Sequence, residues 1–270
     1  MKPRREVPPS MEIEATKQLL PALVRLYMLD GTYEMLPCTS VTTSAELKAM
    51  MAEIQGIEPD NARGFSVFEI HDTEGERCLD EQERVMDAIA AWQRLFDEEK
   101  QRDGKKGAES PSFRLVFKVK HYFAIKNKPK VDESAQRLMF TQAVYDVVCD
   151  RYPCIDEDVV RLAALQRQAE HPNQDLKDVD LSRYVKQSLV ESSRSREYLA
   201  EVNKELAKHK DKPPSVCRKE YLDYVKAWAI YGSSFFMVRP KNPAQFDLAV
   251  DNCFLAINPR GIMIIDPETK

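Results

Sequence analysis

The C-terminal part of the chain constrains its fold more than any other segment. A helical pattern at Tyr221–Trp228 passes almost directly into a strand pattern at Tyr231–Val238. Two more strand patterns follow, at Asp247–Ile257 and Ile262–Ile265, with a turn at Asn258–Gly261 between them. Such an ending predicts a chain of several lobes, in which the last lobe is an antiparallel sheet that has begun and is not yet closed.

The composition argues against several classes of function. The chain has 270 residues, of which 43% are hydrophobic and 31% charged, as is typical of soluble globular lobes. Its formal net charge of −4 provides no overall basic field, so we expect no nucleic-acid partner. It has only 8 glycines and no glycine-rich phosphate loop, so we expect no nucleotide cofactor. No apolar run approaches the roughly 20 residues of a membrane span, and residues 1–10 lack the apolar core of a secretory signal.

The first part of the chain has the pattern of a strand hairpin followed by a helix. Strand patterns at Val24–Leu29 and Tyr33–Leu36 flank Asp30–Gly31, a dipeptide that favours a tight hairpin turn. A helix is predicted over Thr42–Ile54, and Ser44 is its expected N-cap.

Two more strands and a second helix follow. Strands are predicted at Phe65–Ile70 and Phe113–Val119, with a helix at Asp87–Glu99 between them. The order strand, strand, helix, strand, short elements, strand is that of a ubiquitin-like β-grasp roll, which we assign to residues 21–123. Residues 1–20 are expected to be an interdomain linker.

Residues 124–229 are predicted to form an all-α bundle, because apolar positions recur at helical spacing and the connections are short. Ser215 follows two prolines and is the expected N-cap of the last helix. The predicted helices are Ala135–Arg151, Asp156–Gln168, Ser193–Lys208 and Ser215–Trp228.

Few side chains suggest catalysis or metal binding. The four histidines are far apart in sequence, and the six cysteines include no C-x-x-C pair, so we expect no metal site and reduced thiols in the core. Cys154 precedes an acidic helix start, which can lower the pKa of a thiol; a small residue at a helix entry is the simpler interpretation.

One group of basic residues lies where the β-grasp lobe passes into the helical lobe. Tyr122 and Phe123 are interleaved with it. Such a cluster can hold an anionic lipid headgroup or an acidic peptide. The alternative is that these lysines occupy the exposed face of an edge strand, where lysine suppresses edge-to-edge pairing. The candidate binding residues are Lys118, Lys120, Lys126, Lys128 and Lys130.

Several segments, in this order, resemble a FERM domain, the three-lobed module of ezrin-type linkers, talin and certain motors. Val160–Gln166 is similar to the "LAALQ" helix of the family. Tyr231–Val238 and Leu255–Lys270 are similar to the entry of its third lobe. Lys2–Glu14 resembles the joint between a myosin-tail-homology-four (MyTH4) domain and a FERM domain, which points to an unconventional myosin more than to a plant-type kinesin.

The resemblance implies an α+β multi-lobe fold. Its parts are a ubiquitin-like β-grasp lobe, a helical bundle like that of acyl-CoA-binding protein and, over residues 230–270, the start of a lobe similar to pleckstrin-homology and phosphotyrosine-binding domains. Such third lobes take a partner peptide as an added strand next to a C-terminal helix. Because the sequence ends before that helix, we expect the third lobe to be truncated and its groove to be incomplete.

The resemblance also implies a non-enzymatic interaction module without a cofactor. In one interpretation it belongs to a motor tail and binds cytoplasmic tails of membrane proteins, adaptor proteins or the motor head, with actin or microtubules reached through the full-length protein. In the other it is an ezrin- or talin-like linker between membrane and cytoskeleton, whose principal ligand is anionic phosphoinositide. Both place the protein in the cytoplasm with the cytoskeleton, and the second places it at the inner face of the plasma membrane.

Overall fold

A computed structural model describes residues 4, 6–71, 75–103, 113–122, 132–176, 179–192, 194–241 and 253–265. The chain divides into two compact units, residues 1–138 and 139–270.

The first unit contains a five-stranded sheet with the strand order β2-β1-β5-β3-β4. β1 and β5 are parallel, and the other neighbours are antiparallel. This topology is the ubiquitin-like roll that the sequence predicts. The strands are β1 (Ala22–Tyr27), β2 (Tyr33–Cys38), β3 (Phe65–His71), β4 (Gly75–Cys78) and β5 (Phe113–Val119).

Among the described residues of the first unit, four helices accompany this sheet: α1 (Ser10–Lys17), α2 (Ser44–Ile54), α3 (Pro59–Ala62) and α4 (Val85–Asp103). The inward residues of the strands and of α2 form the core; the fully buried ones include Leu26, Leu36, Leu47, Met51 and Phe117. The alternation of buried and exposed residues along β1 reflects the period of two expected for a strand with one covered face.

The hairpin turn and the start of α2 depend on local hydrogen bonds. Gly31 adopts φ +84°, a left-handed conformation that glycine tolerates best. The N-cap of α2 is Thr43, one residue before the predicted Ser44. Thr43 Oγ1 accepts a hydrogen bond from the Glu46 amide at 3.3 Å, and Glu46 Oε2 accepts one from the Thr43 amide at 2.7 Å. This capping box requires the Thr-x-x-Glu spacing, which Ser44 cannot provide.

The segment predicted as a linker contains the helix α1. Glu12 on this helix is buried and forms an ion pair with Arg4 at 2.5 Å. Arg4 Nε lies 3.1 Å from Asp87 Oδ1 on α4, and the Ser10 amide donates to Gln93 Oε1 at 2.9 Å. These contacts attach the segment to α4 of the β-grasp lobe.

The helices of the bundle agree with the predicted pattern and differ at their ends. The last helix begins at Pro214 with Pro213 as N-cap, so Ser215 lies inside the helix and is not its cap. Proline suits the first helical position because it has no amide hydrogen to leave unpaired. The helices are α5 (Glu133–Val148), α6 (Asp156–Glu170), α7 (Gln187–Val190), α8 (Ser195–Leu206) and α9 (Pro214–Lys226), with 3-10 turns at Leu181–Arg183 and Ala207–His209.

Three consecutive buried polar residues lie near the C-terminal end of α6, and each donates hydrogen bonds to other parts of the chain. Arg167 donates from Nε to Gln174 O (3.0 Å), from Nη2 to Asp175 O (2.9 Å) and from Nη1 to Tyr184 Oη (3.1 Å). Gln166 Nε2 donates to Arg183 O at 3.0 Å, and Gln168 Nε2 donates to Lys212 O at 3.0 Å. The loops of the helical lobe are therefore fixed by side chains of one helical turn.

The last sheet is antiparallel, with the strand order β6-β7-β8. Its strands are β6 (Ser234–Val238), β7 (Cys253–Asn258) and β8 (Gly261–Ile265), in agreement with the predicted run of strands; the predicted stretch at 247–250 lies outside the described residues.

Two polar side chains attach this sheet to the end of α9. Asn258 Nδ2 donates to Ala229 O at 2.8 Å and to Ser233 Oγ at 2.9 Å. Arg260 donates to Trp228 O at 2.8 Å and to Lys226 O at 2.9 Å. Because these carbonyls lie at and just beyond the helix end, they have no partner within the helix, and the β7–β8 turn satisfies them.

The capping box predicts a specific loss of stability. We expect Thr43→Ala to lower the free energy of unfolding by about 1 kcal/mol, because the Glu46 amide loses its acceptor. Chemical denaturation measures this value. Thr43→Ser is the matched control, since it keeps the hydroxyl and should remain near wild type. An equal loss in both variants would contradict a capping role.

We expect a larger loss of stability from a substitution of Arg167 than from Thr43→Ala. We expect Arg167→Met to destabilise the protein by about 2–3 kcal/mol, because two backbone carbonyls and the buried Tyr184 hydroxyl lose their donor. Arg196→Met is the control, since Arg196 is an exposed arginine on α8 and should change the unfolding free energy by less than about 0.5 kcal/mol. Similar losses in the two variants would contradict the role assigned to Arg167.

Candidate interaction surface

Lys118, the first residue of the predicted basic cluster, is buried in the sheet. Its ammonium group lies 2.6 Å from Glu76 Oε1 and 4.3 Å from the centre of the Phe68 ring. Only 4% of its side chain is exposed. The charge is therefore balanced inside the first unit and is not presented to a ligand.

Lys120 and His121 follow β5, and both of their backbone amides donate to Gly64 O, at 2.8 and 2.9 Å. Lys48 of α2 lies close to them, although nothing in the sequence pattern connects α2 with the end of β5. Its Nζ is 2.6 Å from Glu81 Oε1.

The end of β5 and the neighbouring part of α2 carry a small group of basic side chains. The hydrogen bond from Lys48, with help from its charge and that of Lys120, lowers the pKa of Glu81. Partial burial, then the charges of Lys120 and Lys48, lower the pKa of His121. The structure thus brings Lys48, Lys120 and His121 together. Lys126, Lys128 and Lys130 lie outside the described residues.

The last sheet presents a second candidate surface. Phe236, Leu255 and Ile264 are neighbours across the three strands, and the next row on the same face contains Ile257 and Ile262. Phe236 is 50% exposed and Ile262 is 68% exposed. An open row of large apolar side chains is typical of surfaces that contact another chain or segment.

The cysteines divide between core and surface. Cys38, Cys217 and Cys253 are buried as predicted, whereas Cys149 is exposed. Burial raises the pKa of the Cys38 thiol to about 12, so it stays protonated at neutral pH. Cys154 is half-buried and packs against the core of the helical lobe, as expected of a small residue at a helix entry.

No three histidine, cysteine, aspartate or glutamate side chains lie together in a way that would hold a metal ion in the part of the chain that the structure describes. None of the helices within the described ranges has the length and apolar character needed to cross a bilayer.

Two protein families match this chain. Residues 126–236 match the FERM central domain, and residues 20–122 match the RA-like domain. FERM domain-containing protein B of Dictyostelium discoideum is 26% identical over 169 residues, which are 59% of this chain and 35% of that protein. Myosin-VIIa of Drosophila melanogaster is 26% identical over 288 residues, which are 98% of this chain and 12% of that protein.

A solved structure agrees with these matches. The human Myosin 7b C-terminal MyTH4-FERM domain, in complex with the harmonin-a PDZ3 domain, superposes with a TM-score of 0.73 at 23% identity. The superposition covers 99% of this chain and 54% of that one. The chain thus spans about half of this solved chain and a smaller share of the curated relatives.

The MyTH4-FERM domains to which the chain is similar are interaction domains without catalytic chemistry. The chain's β-grasp lobe, its "LAALQ" helical lobe and its last sheet follow in the order of a FERM domain. Residues 126–236 accordingly match a FERM central domain, and the chain as a whole is similar to the MyTH4-FERM regions of myosin-VII tails.

Proposed function

We propose that this chain is the protein-interaction module of a cytoskeletal motor tail of the unconventional myosin type. It binds cytoplasmic tails of membrane proteins or adaptor proteins, and also the motor's own head, by surface recognition. The observation that carries the proposal is the alignment with Myosin-VIIa, which covers 98% of this chain. The Myosin 7b domain bound to a PDZ domain supports a folded protein partner for a chain of this fold.

The proposal includes an assignment of lobes and of location. The lobes are residues 21–123, 124–229 and 230–270, with residues 1–20 as the connection to a preceding domain. The full-length protein acts in the cytoplasm, where a myosin head would bind actin or a kinesin head would bind microtubules.

The exposed row of the last sheet is the surface on which we expect a peptide to dock. Phe236 is the large aromatic side chain in that row, and aromatic anchors contribute most to the affinity of protein interfaces. Because Phe236 is half exposed, its replacement should leave the fold intact.

Binding of labelled peptides, followed by fluorescence anisotropy, tests this function. The peptides copy cytoplasmic tails of membrane proteins, and isolated PDZ domains represent adaptors. We expect saturable binding of at least one class and a loss of about tenfold or more in Phe236→Ser. Val216→Ser, at a 40% exposed apolar position on α9, should bind like wild type. No saturable binding across the panel, or equal affinity of the two variants, would contradict the proposal.

A second candidate function is a membrane–cytoskeleton linker that binds anionic phosphoinositides at the inner face of the plasma membrane. The grouping of Lys48, Lys120 and His121 favours it. Lys126, Lys128 and Lys130 remain candidate residues for this function, whereas Lys118 is occupied by Glu76.

Co-sedimentation with phosphoinositide-containing vesicles distinguishes the two functions. If the lipid function holds, replacing Lys126, Lys128 and Lys130 by alanine should reduce vesicle binding at least about tenfold, since each lysine near an anionic surface contributes about 1 kcal/mol. The charge-matched control replaces Lys17, Lys204 and Lys219, which lie elsewhere on the surface. An equal reduction in both triple variants would show a net-charge effect and would exclude this cluster as the lipid site.

A further inference from the structure

His209 is buried at the corner between α8 and α9 without a hydrogen bond to its ring. His209 is 6% exposed, and neither of its ring nitrogens has a hydrogen-bond partner among the described residues. Nε2 lies 3.7 Å from Glu205 Oε1, and Nδ1 lies 3.9 Å from Glu220 Oε2. Both distances are too long for hydrogen bonds, so the ring lies between two carboxylates without binding either.

Both carboxylates already have cationic partners. Lys212 Nζ lies 2.8 Å from each carboxylate oxygen of Glu220, and Lys208 Nζ lies 2.5 Å from Glu205 Oε2. Arg161 of α6 adds a further positive charge. The surroundings of the ring therefore contain three cations and two anions, and a protonated ring would add a fourth cation in a buried place. Burial, followed by the charge of Lys212, lowers the pKa of His209.

The same corner holds the loop that follows α6. Asn173 and Asp211 both have left-handed backbones, with φ of 60° and 64°. Asn173 Nδ2 donates to Asp211 Oδ1 at 3.1 Å, and the Asp211 amide donates to Asn173 Oδ1 at 2.9 Å. Gln168 Nε2 adds its bond to Lys212 O. These few polar bonds hold the two residues in the left-handed conformation, which asparagine and aspartate adopt more readily than other residues except glycine.

We propose that the α8–α9 corner, residues 207–213, is an acid-released latch, in which protonation of His209 frees the corner and the loop 171–175 that it holds. A solvated histidine in the opened corner binds a proton more readily than the buried ring does. The closed corner is therefore fully favoured above the ordinary histidine pKa and loses that advantage as the pH falls below it. The loss ends once the pH falls below the pKa of the ring in the closed corner.

Hydrogen exchange by mass spectrometry tests the latch in the full chain. Exchange at 207–213 and 171–175 is compared at pH 7.5 and pH 5.5 after correction for intrinsic rates. The expected opening equilibrium rises with acid, by up to about tenfold per pH unit, while α6 remains protected. His209→Gln cannot be protonated and should abolish the rise. His171→Gln, in the loop itself, should behave like wild type. A rise that persists in His209→Gln, or its absence from wild type, would overturn the proposal.

A second measurement covers the case in which His209→Gln does not fold. NMR titration of the His209 ring in the wild-type chain provides this measurement, with a short unfolded peptide of residues 205–213 as the reference. The latch predicts that His209 titrates at a lower pH in the chain than in the peptide. Titration at the same pH in both, or at a higher pH in the chain, would overturn it.

Discussion

The hydrogen bonds donated by the buried guanidinium group of Arg167 are the interaction on which the helical lobe depends most. Its neighbours Gln166 and Gln168 are also buried, and successive residues of a helix point about 100° apart. Three consecutive buried polar residues therefore mean that chain surrounds the end of α6 on several sides. Their bonds to the backbone at 174, 175, 183 and 212 replace the regular structure that the loops lack. The positions of these loops are thus determined by the side chains of one helical turn of α6.

The sequence predicts the elements of this fold well, because apolar periodicity and turn residues are local signals. Val24–Leu29, Asp30–Gly31 and Tyr33–Leu36 suffice for the first hairpin. The apolar pattern does not predict α1, since the buried side chain of this helix is Glu12, which forms an ion pair with Arg4. The predicted cap of α2, Ser44, lies one residue after the observed cap, and the Thr43-x-x-Glu46 spacing is the sequence signal for the correct position.

The sequence indicates the candidate surfaces less clearly than it indicates the helices and strands. Alternation along β5 does not reveal that Lys118 lies against Phe68 and Glu76, because both partners are on other strands. Lys48 joins Lys120 and His121 only through the packing of α2. The exposed face of the last sheet is a property of strand register, since Phe236, Leu255 and Ile264 form a row only when β6, β7 and β8 are aligned.

The side-chain NMR signal of Arg167 tests most directly whether the end of α6 organises the helical lobe. The Nε–H group donates to Gln174 O at 3.0 Å inside the lobe. Its exchange with water at neutral pH should therefore be slow, whereas the Nε–H of the exposed Arg196 should exchange rapidly. Equally rapid exchange at both arginines would show that the Arg167 contacts do not persist in solution, and would contradict this account.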